Sequence, residues 1–370
     1  MEEAAFSIIF SDLKDPRVDR TKKHNLLEII ALSILACLCG ADSYVDIEAY
    51  GIARINWLKS FLELENGIPS HDTIGRVFSQ IDPDEFEKCF SEWVRQIANL
   101  TSKVIAFDGK TIRGSRNGDH AISLVTAFAA ENQLVLGQQA VDGKSNEITA
   151  IPELIKMLYL KGKIVTIDAM GTQTAIAEQI IAKGGDYLLA VKGNQKNLLD
   201  EMEFIFQIEQ MQKFKEAQFD YAETIEKGHG RIETRKCWIL SGEDYVGELS
   251  KKWLGLKSLV FIESERKIGE KTEKSMRYFI SSLESNARQI LEVQRSHWAI
   301  ENSLHWVLDV AFNEDKSRMR KDKAAENFAI IRKMSLNLLR LDKSKKIGVK
   351  GKRLTCAWDD EYLMQILSLA

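Results

Sequence analysis

The chain predicts an α/β protein: a mixed five-stranded sheet with flanking helices, preceded by an all-helical region and interrupted by a β-rich insertion. Three changes of pattern carry this. Residues 1–98 keep a helical period. From Val104 the period shortens to apolar runs of strand length that come to alternate with helical stretches. After residue 195 an amphipathic helix is followed by strand-like pieces, until a long helix begins at Asn286. The 370 residues, 45% hydrophobic and 28% charged, have room for two or three domains, and only four prolines with no Gly/Ser tract argue against long linkers. The expected division is an N-terminal helical domain (1–98), a first core part (99–195), the insertion (196–284), a core helix with basic helices (285–345) and a C-terminal tail (346–370).

Taken in order, "HNLLEIIALSILACLCG" reads as a helix ending at Gly40. Its stretch Ile29–Cys39 has the look of a signal segment. Glu28 abuts it, more than twenty residues precede it, and it is too short to span a bilayer, so a buried core helix is expected and no membrane. "SYVDIEAYGIARINWLKSFL" continues at helical period. In "GIPSHDTIGRVFSQI" the Gly-Ile-Pro breaks the chain, Ser70 or His71-Asp72 caps, and Thr73–Ile81 forms a short helix. Helix, turn and helix can form a DNA reader, although any helical bundle has this pattern.

The strands then follow as residues 104–108, "AISLVTAFAAE" and "QLVLGQQAV", joined by hairpins. Two more, "KIVTIDAM" and "DYLLAVKG", are added through helices over Glu147–Leu160 and "TQTAIAEQIIAKG". This is the order of the ribonuclease H-like fold.

An apolar strand buried on both faces ends at Asp108, and a carboxylate there needs a partner, a metal or a task. Asp108-Gly109 is also a turn dipeptide. Asp168 ends the fourth strand in the same setting, where open α/β sheets tend to carry their active sites. A third acid, Glu301, lies in "RSHWAIENSLHWVLDVAF". There His297, Glu301, His305 and Asp309 recur every four residues as one polar stripe on a helix expected to run unbroken to about Phe312. Glu301 can be a surface salt-bridge partner, and His297, Glu301 and His305 have spacing that suits zinc. The three acids, 60 and 133 residues apart, could instead hold two Mg²⁺ ions, with Mn²⁺ as a substitute. Two such ions roughly 4 Å apart serve in-line phosphoryl transfer.

Net charge is −3, yet Lys316–Arg353 contains fourteen Lys/Arg against three Asp/Glu, a footprint of polyanion binding or of a solvated basic face. The five cysteines read as reduced thiols of a cytosolic protein.

The words "GIPSHDTIGRVF", "IAFDGKTIRGS", "TIDAMGTQ", "DYLLAVKGNQ", "GHGRIETR", "YFISSL" and "HWAIENSLHWVLDVAFNEDKSRMR" stand in this order. On them the chain, from about Asp15 to Arg340, resembles bacterial insertion-sequence transposases of the DDE type, in the ISAs-type group with the H-repeat-associated proteins. The resemblance implies Asp108, Asp168 and Glu301 as catalytic, metal-holding triad, and an N-terminal DNA-binding domain. It implies cleavage of transposon ends by water and joining by a 3′-hydroxyl. Expected partners are double-stranded DNA (terminal inverted repeats and target) and a second copy on that DNA; the expected location is the bacterial cytoplasm, at the nucleoid. Relatives carry a Tyr-Arg-Glu-Lys signature around the glutamate. Here the matching positions hold Gln294, His297 and Leu308, so those helper roles do not carry over.

Lys110 and Arg113 follow Asp108 and are candidate phosphate contacts or solvent charges. Lys192 follows the fifth strand. Arg231 and Arg235 alternate onto one strand face with Glu233, to grip DNA or to solvate a hairpin. His297 and His305 are candidates for phosphate contact, and Arg318, Arg320 and Lys321 lie nearest the expected site in the basic stretch. Trp298 and Trp306 read as core residues rather than base-stacking platforms. A nuclease that cuts without joining, and a degenerate or domesticated DNA-binding relative without catalysis, are the alternative readings.

Overall fold

In the computed structural model, residues 5–98, 100–117, 120–141, 147–215, 217–228 and 230–369 are described; His229 of "GHGRIETR" lies outside them. The chain divides into two units: Met1–Thr101, Gly109–Asn146 and Glu301–Ala370 in one, Ser102–Asp108 and Glu147–Ile300 in the other.

The first unit begins with five helices, α1 (Ala5–Phe10), α2 (Leu26–Leu38), α3 (Tyr44–Leu58), α4 (His71–Gln80) and α5 (Pro83–Ile97). Helix α2 is apolar nearly all round and buried, so it is a core helix as expected. No described helix is long and apolar enough to cross a membrane. The short polar residues expected as punctuation act as caps. Ser43 and Asp46 form a capping box on α3, Ser70 accepts from Thr73 N on α4, and Asp82 caps α5 ahead of Pro83. Helix α4 therefore starts at His71, two residues before the expected Thr73.

Strands β1 (Val104–Thr111), β2 (Ser123–Ala129) and β3 (Leu134–Val141) come next. Helix α6 (Glu147–Met157), β4 (Ile164–Ile167), α7 (Thr174–Ala182), β5 (Asp186–Val191) and α8 (Lys196–Gln212) follow. The insertion supplies β6 (Phe219–Gly228), β7 (Arg231–Ser241), α9 (Glu243–Ser250), β8 (Ser258–Ile268) and β9 (Lys271–Ser281). The strand order is β3-β2-β1-β4-β5-β9-β8-β7-β6, one sheet of nine strands rather than the expected five. The reason is local to β5. Its outer edge would carry unpaired backbone groups, and β9 pairs with it antiparallel from Leu188↔Ser281 to Val191↔Tyr278. Strands β6–β9 are a meander, so the insertion continues the sheet.

The unbroken helix expected from Asn286 to Phe312 is in fact three pieces. Helix α10 (Ala287–His297) is capped by Asn286; a π-helical turn follows over Ile300–His305; α11 (Trp306–Ala311) ends the run. A π turn takes in one extra residue, which rotates everything beyond it by about 100° relative to an α-helix. The single polar stripe is thereby broken: Glu301 is exposed, while His305 is buried.

Helix α12 (Ala324–Leu341) is buried along almost its whole length, and α13 (Val349–Trp358) and α14 (Asp360–Leu367) close the chain. Its polar residues are tied in. Asn327 Nδ2 donates to Phe78 and Ile81 carbonyls, and Asn337 exchanges hydrogen bonds with the Val135 backbone. Lys333 Nζ donates to Thr126 Oγ1 at 3.0 Å and Gln138 Oε1 at 2.6 Å. Burial takes Arg332, Lys333, Arg340, Lys352 and Arg353 out of the basic footprint, because their charges face carbonyls, carboxylates and rings inside this unit.

Candidate active site

Parallel pairing of β1 with β4 runs from Val104↔Ile164 to Phe107↔Ile167. Asp108 and Asp168 are the residues that follow this ladder on the two chains. They therefore stand side by side, about one strand spacing apart, where the parallel pairing stops. The strand expected to end at Asp108 runs on to Thr111, so Asp108 lies within β1, while Asp168 directly follows β4. Both are half-buried. Asp168 leaves the ladder as the cap of a short 3₁₀ turn, Ala169–Gly171, and accepts from Met170 N at 3.1 Å. Gly171 permits this turn: a Cβ there would come 2.7 Å from Ile151 Cδ1 of α6 and 2.3 Å from Ile167 Cγ2.

Ile151 lies one helical turn after Glu147 on the same face of α6, and that face packs on the turn that follows Asp168. Glu147 is thus a third carboxylate close to the pair. Burial first, then the charges of Asp168 and Asp108, push its pKa up to about 7. The sequence carried no signal for it, because an acid in the first turn of a helix is ordinary. Among the described residues, no group of three or more His, Cys, Asp or Glu side chains is arranged to hold a metal ion.

His297, on α10, packs against the same corner of the second unit. Its Nδ1 is 2.9 Å from Thr166 Oγ1 of β4. Burial holds its pKa below the usual histidine value, against the pull of Asp108 and Asp168. The ring is therefore mainly neutral at pH 7 and can offer one N–H, not a full charge. Lys192, exposed just past β5, adds positive potential at His297. Arg277 of β9 lies over the Trp298 ring at 4.8 Å. Trp298 and Trp306, expected in the core, are 42% and 61% exposed. Trp306 follows the π turn, whose extra residue rotates it away from the face that a continuous helix would give it.

In the first unit, Lys110 is consumed by acids. Its Nζ lies 2.5 Å from Asp309 Oδ1 and 2.9 Å from Glu314 Oε2, and its side chain is only 14% exposed. Burial lowers the Lys110 pKa, but Glu314 and Asp309 outweigh it and the net shift is upward. Burial raises Glu314, but Lys110, Arg332 and Lys333 outweigh it and the net shift is downward. His305 lines a small void beside Lys110, Glu314 and Lys333. Arg113 remains 84% exposed, its Nε 3.5 Å from Asp315 Oδ2. Glu301 belongs to this unit.

Arg231 and Arg235 sit in an ionic ladder on the insertion. Arg231 pairs with Glu233 at 2.8 Å, and Arg235 pairs with Glu233 and with Glu226. Glu226 also takes Arg295 of α10. Arg318, Arg320 and Lys321 are exposed; Arg320 Nε donates to Gly114 O. Gly114 allows this loop–loop approach, since a Cβ would stand 2.2 Å from Ser317 O.

Two acids where a parallel strand pairing stops, a third beside them and a lysine at the rim suit chemistry on phosphate esters. Comparison with known proteins agrees in class. Residues 99–338 match the family described as "Transposase DDE domain", residues 8–94 match the one described as "DDE_Tnp_1-associated", and the chain belongs to this transposase family. Among its relatives, "Putative transposase YncI" of Escherichia coli O157:H7 is 45% identical over 367 residues, 97% of this chain and 93% of that protein. "H repeat-associated putative transposase YhhI" of Escherichia coli strain K12 is 42% identical over 366 residues, 97% and 96% of the two chains. A shorter stretch of 57 residues, 15% of this chain and 68% of the relative, is 47% identical to "Inactive transposase YbfQ" of the same strain. A solved piggyBac transposase synaptic complex with hairpin DNA covers 98% of this chain and 77% of that one at 10% identity, with a TM-score of 0.37, too slight a likeness to carry any argument.

Proposed function

We propose that this chain is an active DDE transposase, which cleaves double-stranded DNA at the ends of its own insertion sequence and joins the freed 3′-hydroxyl to target DNA. The observation that carries the reading is the register of β1 and β4, which supports Asp108 and Asp168 as one carboxylate pair within the matched family region. Strands β3-β2-β1-β4-β5 are, in this reading, a ribonuclease H-like core to which the insertion adds its meander. Glu301 is the third catalytic acid by its match to the family pattern, on the exposed face of the π turn.

Carboxylate oxygens are hard donors of the kind that divalent ions such as Mg²⁺ take, with Mn²⁺ as a substitute. The charges of Asp168 and Asp108 help to raise the Glu147 pKa, and Mg²⁺ binds through one or two carboxylates while waters and phosphate complete its shell. Asp108 and Asp168 would hold the ions, and bound metal would supply Lewis-acid stabilisation of the phosphate in flight. The chain's own groups then orient the substrate. His297, kept neutral and fixed by Thr166, offers a single N–H at the rim, and Lys192 offers an exposed charge.

The test is an excision assay. The gene's flanking DNA is placed on a donor plasmid with wild-type protein and with Asp108→Asn in parallel. Excised or joined product with wild type alone supports the reading. Cutting by Asp108→Asn overturns the assignment of the acids. A second reading, a DNA-binding relative without catalysis, is favoured by the stretch shared with a relative named inactive. It requires that wild type bind the flanking DNA and leave it uncut. Cleavage without joining would mark a nuclease instead.

A further inference from the structure

The first unit contains a cleft of about 680 Å³ that the acids do not touch. One wall is the start of α3 and the outer face of α4; the other is the segment 317–321 that leads into α12. The two sequence words "GIPSHDTIGRVF" and "NEDKSRMR", far apart in the chain, thus border one space. Tyr44 forms its floor. The ring stacks on Phe78 at 6.0 Å, meets Phe328 edge-on at 5.6 Å, and lies against Gly75, where a Cβ would come 3.1 Å from it.

The far wall is held in place before any ligand arrives. Met319 is buried, Arg320 Nε donates to Gly114 O at 2.9 Å, and Lys323 N donates to Ser79 O. A fixed wall lowers the ordering cost of binding.

Cations outnumber acids in the cleft lining, four to two. Arg76, Arg318 and Lys321 are exposed, and none makes an ion pair or a side-chain hydrogen bond among the described residues. Arg320 spends one N–H on Gly114 and keeps its outer fork. Of the acids, Asp42 is already held by Arg353 at 3.1 Å and Asn313 at 2.7 Å. Asp72 is the remaining acid, with His71 Nε2 at 3.7 Å. The start of α4 is itself occupied, because Glu48 takes His71 N and Ser70 takes Thr73 N. Arg231 and Arg235 of the insertion, by contrast, are paired with glutamates.

Four cations spread over two walls of an open cleft match a chain of phosphates better than one small anion. We infer that this cleft holds the sugar–phosphate backbone of duplex DNA, with Arg76 on one side and Arg318, Arg320 and Lys321 on the other. The inference rests on the transposase reading and adds to it where the duplex lies and which arginine of the helical region grips it.

The test is binding of the full chain to a labelled duplex of its own flanking DNA and to an unrelated duplex, across a salt series. The proteins compared are wild type, Arg76→Ala, the double variant Arg318→Ala/Lys321→Ala, and a control with the exposed lysines outside the cleft changed, Lys59→Ala/Lys88→Ala. Each lost phosphate contact lowers the slope of log affinity against log salt by about 0.9, so falls of about 0.9 for the single variant and about 1.8 for the double variant are expected, alike on both duplexes. The control should match wild type. Unchanged slopes in the cleft variants, with wild type binding DNA, overturn the inference and leave the transposase reading standing. Failure of wild type to bind any duplex overturns that reading instead. Poly-glutamate competing as well as DNA does, at equal charge, would make the cleft a general polyanion site and overturn the assignment to DNA.

Discussion

Lys110→Met removes a cation that touches both Asp309 and Glu314 and keeps the apolar volume of the side chain. Glu314 is 2% exposed and Asp309 33%, so the buried partner bears most of the loss. Removing one partner of a fully buried pair costs about 3–5 kcal/mol. Arg332 and Lys333 still act on Glu314, and water reaches Asp309, so a loss of about 2–4 kcal/mol is expected here. An unfolding entropy near 2.1 cal/mol/K per residue over 370 residues converts the middle of that range to a fall of about 4 °C in Tm, if the chain melts as one. Urea unfolding of Lys110→Met, Glu314→Gln and the double variant closes a cycle, whose coupling should exceed about 1 kcal/mol. Duplex binding serves as the second assay, and its salt slope should not change. The reasoning fails if Lys110→Met is as stable as wild type and its salt slope falls by about 0.9, because Lys110 would then be a phosphate contact rather than an internal tie.

Asp108→Asn should abolish cleavage of flanking DNA while duplex affinity stays within about threefold, since one rim carboxylate contributes little to backbone binding; gel-shift and excision assays read the two separately. Gly114→Ala sets a methyl group against the backbone oxygens of Ser317 and Asp315, at 2.2 and 2.8 Å, and should cost about 1–3 kcal/mol in urea unfolding. Gly193→Ala, with open space around it, should stay within about 0.5 kcal/mol of wild type. Asp342 ties α12 to α13 and α14, accepting from Ser344, Lys352 and Tyr362. Burial opposes its charge, but these hydrogen bonds outweigh burial and hold its pKa below the carboxylate range. Its stabilisation is therefore complete above its unfolded value, near pH 4, and is lost as the pH falls through the lower folded value. Asp342→Asn should cost about 2–4 kcal/mol at pH 7, and the difference from wild type should shrink below about pH 4 in melts across pH.

The parts that could be read in the sequence depend on neighbours close along the chain. Val104–Phe107 and Ile164–Ile167 announce buried strands by their short apolar, β-branched-rich runs, and each run stops at an aspartate. Ser70 and Asp82 announce helix starts because a cap needs only the next three amides. Glu147 was not legible, since only the packing of Ile151 on Gly171 carries it towards Asp168. The polar stripe from His297 to Asp309 misled because a four-residue spacing presumes α-helical pitch, and the π turn leaves no local mark in composition.

The sequence by itself determined the alternation of helices and strands, the two carboxylates that close apolar runs and the ordered words that place the chain among DDE transposases. Such features follow from local periodicity and residue chemistry. Only the tertiary structure decided that Arg332, Lys333, Arg340, Lys352 and Arg353 leave the basic footprint for the interior, and that Lys110 faces two acids. It alone joined the insertion to the edge of β5. Burial and charge pairing depend on groups brought together from distant parts of the chain, and the pattern of any one segment holds no record of which groups those will be.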